Sequence, residues 1–332
     1  MLDDSGRRAL YASGRREHAP AKHFSSLLRF SMTLEIEPVD QATIDKEREL
    51  IAWFRDRNSV LVGFSGGVDS AYLACVAVDA LGSANVLAVI GKSASYPEAQ
   101  WATAREVARQ FSVPVLEVET SELADPRYAA NPTNRCYFCK TELWSQLAPI
   151  AAARGFACVV DGTNADDLAD YRPGARAAAE RGIRSPLAEL GITKLEIRAL
   201  SRLRGLPTWR QPSAPCLSSR IPYGTAVTAD RLRRIEAAET ALRALGISGD
   251  LRVRYHGDLA RVELPPNDLA IWLTPERAAR LREAVVDAGF VRVAVDLRGF
   301  RSGSLNVLGG VVADGAATEM PNEPRRREAP AA

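Results

Sequence analysis

The chain is poor in several features that would assign it at once. No apolar run among its 332 residues approaches the roughly 18 needed to cross a bilayer. Neither charge is in excess: 43 Lys and Arg stand against 41 Asp and Glu, a formal net charge of +2. A uniformly basic nucleic-acid surface is therefore not expected, although a local patch remains open. The N-terminus contains several Arg residues but no apolar stretch followed by a small-residue cleavage site, so the expectation is a cytoplasmic protein. Cysteine is sparse and odd in number, with Cys75, Cys136, Cys139, Cys158 and Cys216. That argues against a disulfide framework and for reduced thiols used in packing, metal binding or chemistry. There is no internal repeat.

What is present is an alternating pattern. Hydrophobic residues make up 46% of the chain, enough for a sizeable core, and the length suggests about two domains. Residues 59–64, 86–90, 113–118 and 157–161 read as short buried strands. Residues 70–81, 97–111, 141–154 and 193–204 read as helices, the second opened by Pro97 in its first turn. Strands alternating with helices indicate an α/β domain with a parallel sheet covered on both faces. After about residue 223 the character changes. Residues 251–255 and 259–264 read as paired strands around His256-Gly257-Asp258, followed by a helix at 275–288 and a strand at 291–297. We expect residues 41–222 to form the α/β domain and 223–312 a smaller α+β domain that binds substrate or oligomerises. Residues 1–40, where Met32 is an alternative start, and 313–332 read as disordered extensions.

The most informative stretch is Ser65-Gly66-Gly67-Val68-Asp69-Ser70, between a strand and a helix. Paired glycines let backbone N–H groups approach an anion, and the helix start adds unpaired donors and a positive dipole end. Ser65 and Ser70 supply hydroxyl donors, and Asp69 is a candidate Mg²⁺ ligand. The loop has no Gly-Lys-Ser/Thr ending and so is not a Walker A loop. A bare Gly-Gly turn with a Ser/Asp cap is the bland alternative; the full hexapeptide in this setting outweighs it. A second polar segment, Asp161-Gly162-Thr163-Asn164-Ala165-Asp166-Asp167, follows the fourth strand. In an open α/β sheet, ligands sit beyond the carboxyl ends of the strands, which puts Gly162, Thr163, Asn164 and Asp167 beside the first loop.

Cys136 and Cys139 form a C-x-x-C; on a helix, side chains three apart share a face. Alone it is ambiguous between zinc, a redox dithiol and an iron–sulfur ligand pair. Cys216 lies far away, in a loop stiffened by Pro215 and Pro222. Three unrelated packed thiols are the alternative. Three cysteines are one short of a Cys₄ site; on a 4Fe–4S cluster they leave one iron open for a labile sulfide. Cys75 and Cys158 fall in apolar segments and read as packing residues.

The hexapeptide resembles the signature of the ATP-pyrophosphatase (PP-loop) superfamily, whose members cleave ATP between the α and β phosphates and leave an adenylate on the substrate. More of the chain, from about residue 45 to 310, resembles the LarE family of sulfur transferases in nickel-pincer cofactor biosynthesis. The matching stretches are SGGVDS, NPTNRCYFCK, DGTNADD, DYRPG, CLSSRIPYG, RVRYH, ARVELP and GFRSG. The resemblance implies an adenine nucleotide alpha hydrolase-like fold. It implies adenylation of a carboxylate of pyridinium-3,5-biscarboxylic acid mononucleotide with MgATP, then conversion to a thiocarboxylate. Some members draw the sulfur from one cysteine at the position of Cys216; others use a 4Fe–4S cluster held by three, as Cys136, Cys139 and Cys216 suggest here. Substrate phosphate contacts carry over to Arg252, Arg254 and Glu239, with Arg220 and Arg301 as weaker candidates. Guanidinium forks suit phosphate and carboxylate, and Arg252 and Arg254 alternate on one strand face. A mononucleotide substrate, a homo-oligomer, and a protein that reloads the sulfur are the expected partners; nucleic acid and membrane are not.

Rivals remain. A tRNA thiolase would carry a basic RNA-binding appendage, which is not evident. An ammonia-dependent amide-forming ligase has no use for three cysteines. A non-catalytic nucleotide-binding protein would release no pyrophosphate.

Overall fold

Val60, Leu61 and Val62 have no polar side because both faces of the strand they form are covered. A computed structural model of the chain describes residues 39–169 and 173–301. The expectations for residues 1–38, for Asp170-Tyr171-Arg172 and for everything after Arg301 lie outside those residues.

The first part of the described chain runs α1 (Gln41–Arg55), β1 (Val60–Gly63), α2 (Val68–Leu81), β2 (Val86–Lys92), α3 (Glu98–Gln110) and β3 (Val115–Glu119). A short α4 (Pro126–Ala129), a long α5 (Arg135–Ala153), β4 (Cys158–Val160), and short α6 (Pro173–Ala179) and α7 (Pro186–Glu189) follow, then α8 (Lys194–Leu203). The four strands are parallel, in the order β3-β2-β1-β4. Successive side chains of a strand point to opposite faces. Val60 and Val62, with Ala88 and Ile90, pack under residues of α1, α2 and α8, including Phe54, Tyr72 and Ile197. Leu61, Leu87, Val89 and Val159 pack on the other side against Trp144 and Leu147 of α5 and Ala177 of α6. The parallel sheet covered on both faces is thus as expected. β1 sits inside the sheet, so the loop leaving its carboxyl end emerges at the centre of that edge.

The second part contains α9 (Ala229–Ala244), β5 (Arg252–His256), β6 (Leu259–Glu263), α10 (Leu269–Trp272), α11 (Pro275–Asp287) and β7 (Arg292–Val295). β5 and β6 form an antiparallel hairpin, turned where Gly257 takes a φ of 68°; β7 adds parallel to β6. Val253, Tyr255, Ala260 and Val262 pack against Ile235, Leu242, Leu281 and Val285. That core also takes in Tyr128 of α4 and Leu217, next to Cys216.

Most element ends shift by one or two residues from the sequence expectation, and three differences bear on how the elements are placed. The helix expected from 141 begins at Arg135, so the C-x-x-C lies in its first turns. Cys and aromatic residues are middling helix formers; here the buried Arg135 anchors the turn through bonds described below. Pro97 is the N-cap of α3 rather than part of its first turn. The last strand stops at Val295, and Leu297 is exposed.

Candidate active site

The loop after β1 is held from three sides. Gly66 has a φ of 64°, and a Cβ on it would lie 2.4 Å from the Cβ of Ala104 in α3. Only glycine fits that conformation and that approach. Ser65 and Ser70 are joined through their hydroxyls (3.1 Å), and the Ser65 N–H donates to Ser70 Oγ (3.2 Å). From α3 and the turn before it, Tyr96 Oη and Gln100 Nε2 donate to the Ser65 carbonyl at 2.9 and 3.0 Å. Gly67 is the N-cap of α2 and makes no side-chain capping bond. The amides of the first helical turn have no intrahelical acceptor, so this start is a ready anion cradle. Val68 turns its side chain into the core.

Asp69 Oδ2 accepts from Lys194 Nζ, while its buried Oδ1 has no hydrogen-bond partner among the described residues. A buried carboxylate oxygen lacking a donor costs free energy that a cation would offset. Mg²⁺ is commonly held by one or two carboxylates plus substrate phosphates, and Asp69 beside an anion cradle fits that donor set.

The loop after β4 lies against the same helix start: a Cβ on Gly162 would fall 2.9 Å from the Ser70 backbone N. Its side chains are engaged with one another. Asp161 accepts from the Thr163 N–H (3.1 Å), Thr163 Oγ1 (2.9 Å) and Ser185 Oγ (2.7 Å). Buried Asn164 Oδ1 accepts from the Asp166 and Asp167 amides at 3.0 and 3.3 Å. The side chains of Thr163 and Asn164 therefore shape the loop.

The cysteines of α5 and of the 216 loop come from segments far apart in sequence and meet in the fold. Cys216 caps a short 3₁₀ turn, Leu217–Arg220. Tyr128 Oη shares a 2.6 Å bond with Ser218 Oγ, and Arg135 Nη1 donates to the Ser218 carbonyl (3.1 Å) and to Asn131 Oδ1. Asn131 Nδ2 in turn donates to the carbonyls of Pro222 (2.8 Å) and Thr225 (2.9 Å). The start of α5 is thus tied directly to the Cys216 loop. Burial pushes the Cys136 thiol up, and the charge of neighbouring Cys216 adds to it. Burial raises Cys139 as well, reinforced by Glu122 and then Cys216. Cys136 is nonetheless solvent-exposed as a residue, and Cys139 and Cys216 are half-buried. Among the described residues no three His, Cys, Asp or Glu side chains are gathered to hold a single metal ion. A 4Fe–4S cluster presents separate irons to its thiolates, which therefore stand farther apart than the ligands of one ion. Cys136 and Cys139, whose thiols are pushed up by burial and then by charged neighbours that include Cys216, make with Cys216 a donor set that a cationic centre would stabilise in the thiolate form.

Arg220, Arg252 and Arg254 are all buried. Arg220 binds Glu239 through Nε and Nη2, both at 2.9 Å, and its Nη1 donates to the carbonyls of Pro215 (2.6 Å) and Cys216 (3.1 Å). Glu239 also accepts the Val253 N–H (3.0 Å). Arg254 pairs with Glu263 (2.8 Å) and donates to the Ser219 carbonyl (2.9 Å). Arg252 donates to the Ser213 carbonyl, and its ion pair to Asp250 is long at 3.8 Å. Burial, then repulsion from Arg220, pushes the Arg252 guanidinium down to about 10. Of the three, Arg252 has most to gain from an incoming anion. Arg301 is exposed, at the end of the described residues.

This charged layer makes a stability prediction. Glu263, 2% exposed in its side chain, is shared by Arg254 and Arg261. Glu263→Gln removes the carboxylate that both guanidiniums use. Breaking a buried pair from one side costs about 3–5 kcal/mol. The unfolding free energy from urea titration is expected to fall by that order, and a loss below about 1 kcal/mol would show the pair to be solvent-screened.

Lys194, Tyr96, Gln100, Asn131 and Arg135 were not singled out in the sequence. Lys194 follows Thr193, which with Glu196 forms a capping box, so a helix start was readable there. Its pairing with Asp69 across the chain was not.

A family model described as NAD synthase matches residues 52–133. The chain is 46% identical over 261 residues to an uncharacterised protein of Synechocystis sp., spanning 79% of this chain and 97% of that protein. It is 38% identical over 261 residues to the pyridinium-3,5-bisthiocarboxylic acid mononucleotide synthase of Lactiplantibacillus plantarum, spanning 79% of this chain and 94% of that enzyme. A shorter match, 31% over 137 residues, covers 41% of this chain and 37% of the NH(3)-dependent NAD(+) synthetase of Rhizobium rhizogenes.

Proposed function

The chain belongs to the LarE family of PP-loop enzymes, and on that premise we propose that it is an ATP-dependent sulfur transferase. Its substrate in this reading is pyridinium-3,5-biscarboxylic acid mononucleotide, one carboxylate of which becomes a thiocarboxylate. The observation that carries the reading is an anion-ready helix start at Gly67 in the same chain as three mutually neighbouring thiols.

The triphosphate of ATP lies on the amides of Gly66 to Ser70, with the Gly162 loop closing one side. Asp69 would hold Mg²⁺ through Oδ1, which has no partner among the described residues, with phosphate oxygens as further ligands. The substrate carboxylate attacks the α-phosphorus; the bond to the bridging oxygen breaks and pyrophosphate leaves. Activation is needed because the carboxylate's own leaving group would be oxide, whereas AMP leaves readily. A sulfur nucleophile then adds to the acyl carbon, and AMP is expelled with the C–O electron pair. Arg252 and Arg254 neutralise the substrate phosphate, and Arg220 and Glu239 set the shape of that pocket. Cys136, Cys139 and Cys216 would hold a 4Fe–4S cluster, which when bound supplies a sulfide on its open iron. In the same proposal the protein works in the cytoplasm as a homo-oligomer built through residues 223–312, and a separate protein reloads its sulfur.

Anaerobic incubation with MgATP and the mononucleotide tests this. Equimolar AMP and pyrophosphate are expected, together with a product in which sulfur replaces one oxygen by mass spectrometry. Pyrophosphate release that yields an amide with ammonia, and no sulfur product, would instead support the ligase reading. Iron analysis and visible absorbance test the cluster separately. An iron-free protein that turns over once, with sulfur lost from Cys216, would replace the cluster by a sacrificial cysteine.

A further inference from the structure

The segment from Ser95 to Gln100 touches both the phosphate loop and the loop that carries Cys216. On one side, Tyr96 Oη and Gln100 Nε2 hold the Ser65 carbonyl (2.9 and 3.0 Å). On the other, the Ser95 carbonyl accepts the backbone N–H of Leu217 at 2.8 Å. Ser95 is itself fixed, its Oγ donating to buried Glu122 at 2.7 Å. Gln100, 6% exposed, is engaged at both ends of its amide: Oε1 accepts from Gln211 Nε2 at 2.8 Å, and Gln211 begins the stretch leading into Cys216. Helix α8 makes a parallel connection. Lys194 at its start grips Asp69, and Arg198 one turn on donates to the carbonyls of Trp209 (2.6 Å) and Gln211 (2.9 Å).

A side-chain amide bonded at both ends transmits position. The Ser65 carbonyl cannot shift without drawing Gln100 after it, and Gln100 cannot turn without releasing Gln211. We propose that Gln100 is a positioning residue that couples nucleotide on the phosphate loop to the placement of the Cys216 loop. The sulfur source is then brought into register when ATP is held, and by linkage an ordered Cys216 loop tightens ATP by the same factor. The inference rests on the phosphate loop being the nucleotide site, as proposed above.

Hydrogen exchange of the peptide containing Leu217 tests it, in the full chain with and without Mg²⁺ and a non-cleavable ATP analogue at saturation. Calorimetry establishes saturation for every variant. In the native chain the analogue is expected to slow exchange there by roughly fivefold or more, the lower end of ordinary coupling energies. Gln211→Leu, which leaves both bonds to Ser65 intact, is expected to bind the analogue more weakly by no more than the coupling factor it loses, yet to slow exchange by less than about twofold. Gln100→Leu is expected to bind it more weakly and, once saturated, to show the same lost response. A purely structural defect would raise exchange in both states and leave the ratio unchanged. Full slowing in both saturated variants would mean direct shielding by nucleotide and would overturn the inference, as would a native chain that binds the analogue without slowing. A native chain that does not bind the analogue removes the nucleotide-site reading itself, and this inference with it.

Discussion

Replacing Cys216 by serine is expected to abolish sulfur transfer while leaving pyrophosphate formation within a few-fold of native. The thiocarboxylate rate should fall by about a thousandfold or more, roughly 4 kcal/mol of barrier. A serine hydroxyl is neither a thiolate nucleophile nor a soft metal ligand at neutral pH, and it has no sulfur to give. The loop itself should survive, because its bonds run through backbone and neighbours: the Cys216 carbonyl accepts from Arg220 and from the Ser219 N–H, and Leu217 is held by Ser95. Mass spectrometry of the product beside a pyrophosphate assay checks both halves. Cys136→Ser and Cys139→Ser refine the result. If three thiolates hold a cluster, each loses transfer to a similar degree. If Cys216 alone gives up its sulfur, those two variants retain a single turnover.

Replacing Gly66 by alanine is expected to remove nucleotide binding, with ATP affinity falling by roughly a hundredfold or more, about 2.7 kcal/mol. Two costs act together at this position. A φ of 64° places a Cβ in the left-handed region, at about 1–2 kcal/mol. The same Cβ would fall 2.4 Å from Ala104 Cβ and 2.7 Å from its Cα, atoms fixed by the α3 backbone, so overpacking adds about 1–3 kcal/mol. The loop must then either move off α3, losing the Tyr96 and Gln100 bonds to Ser65, or carry the strain. Gly67→Ala is the control for fold stability. Gly67 has a φ of −74°, and its added Cβ would meet only Ser65 Oγ, at 3.5 Å. Calorimetry with a non-cleavable ATP analogue and urea unfolding separate the effects; native-like ATP affinity in Gly66→Ala would place the triphosphate elsewhere.

These two predictions differ in how far each could be foreseen. The strand–SGGVDS–helix order was readable because its physics is local. An apolar run, a glycine pair and a helix start lie within a dozen residues, and the cradle they make needs no distant partner. The parallel sheet was readable for a related reason, since strands buried on both faces must be apolar throughout. The start of α5 is not legible in its own residues because what holds Arg135–Cys139 helical is not in that segment. It is the bonding of Arg135 to Ser218 and Asn131, and of Asn131 onward to Pro222 and Thr225.

The arginines show the same division. Alternation on β5 placed Arg252 and Arg254 on one face, as the period of a strand requires. That Glu239 clamps Arg220, that Glu263 pairs with Arg254, and that the ion pair of Arg252 to Asp250 is long depend on β6, α9 and the Cys216 loop converging. The sequence by itself determined the glycine-paired helix start, the doubly covered sheet and the three candidate site thiols, because each follows from residue type and short-range period. Only the tertiary structure decided that those thiols are neighbours, that Lys194 grips Asp69, and that Gln100 spans the phosphate loop and the approach to Cys216. Each of those contacts joins residues tens to more than a hundred positions apart. Which distant residues meet is set by how the core packs, and no local pattern in the chain encodes it.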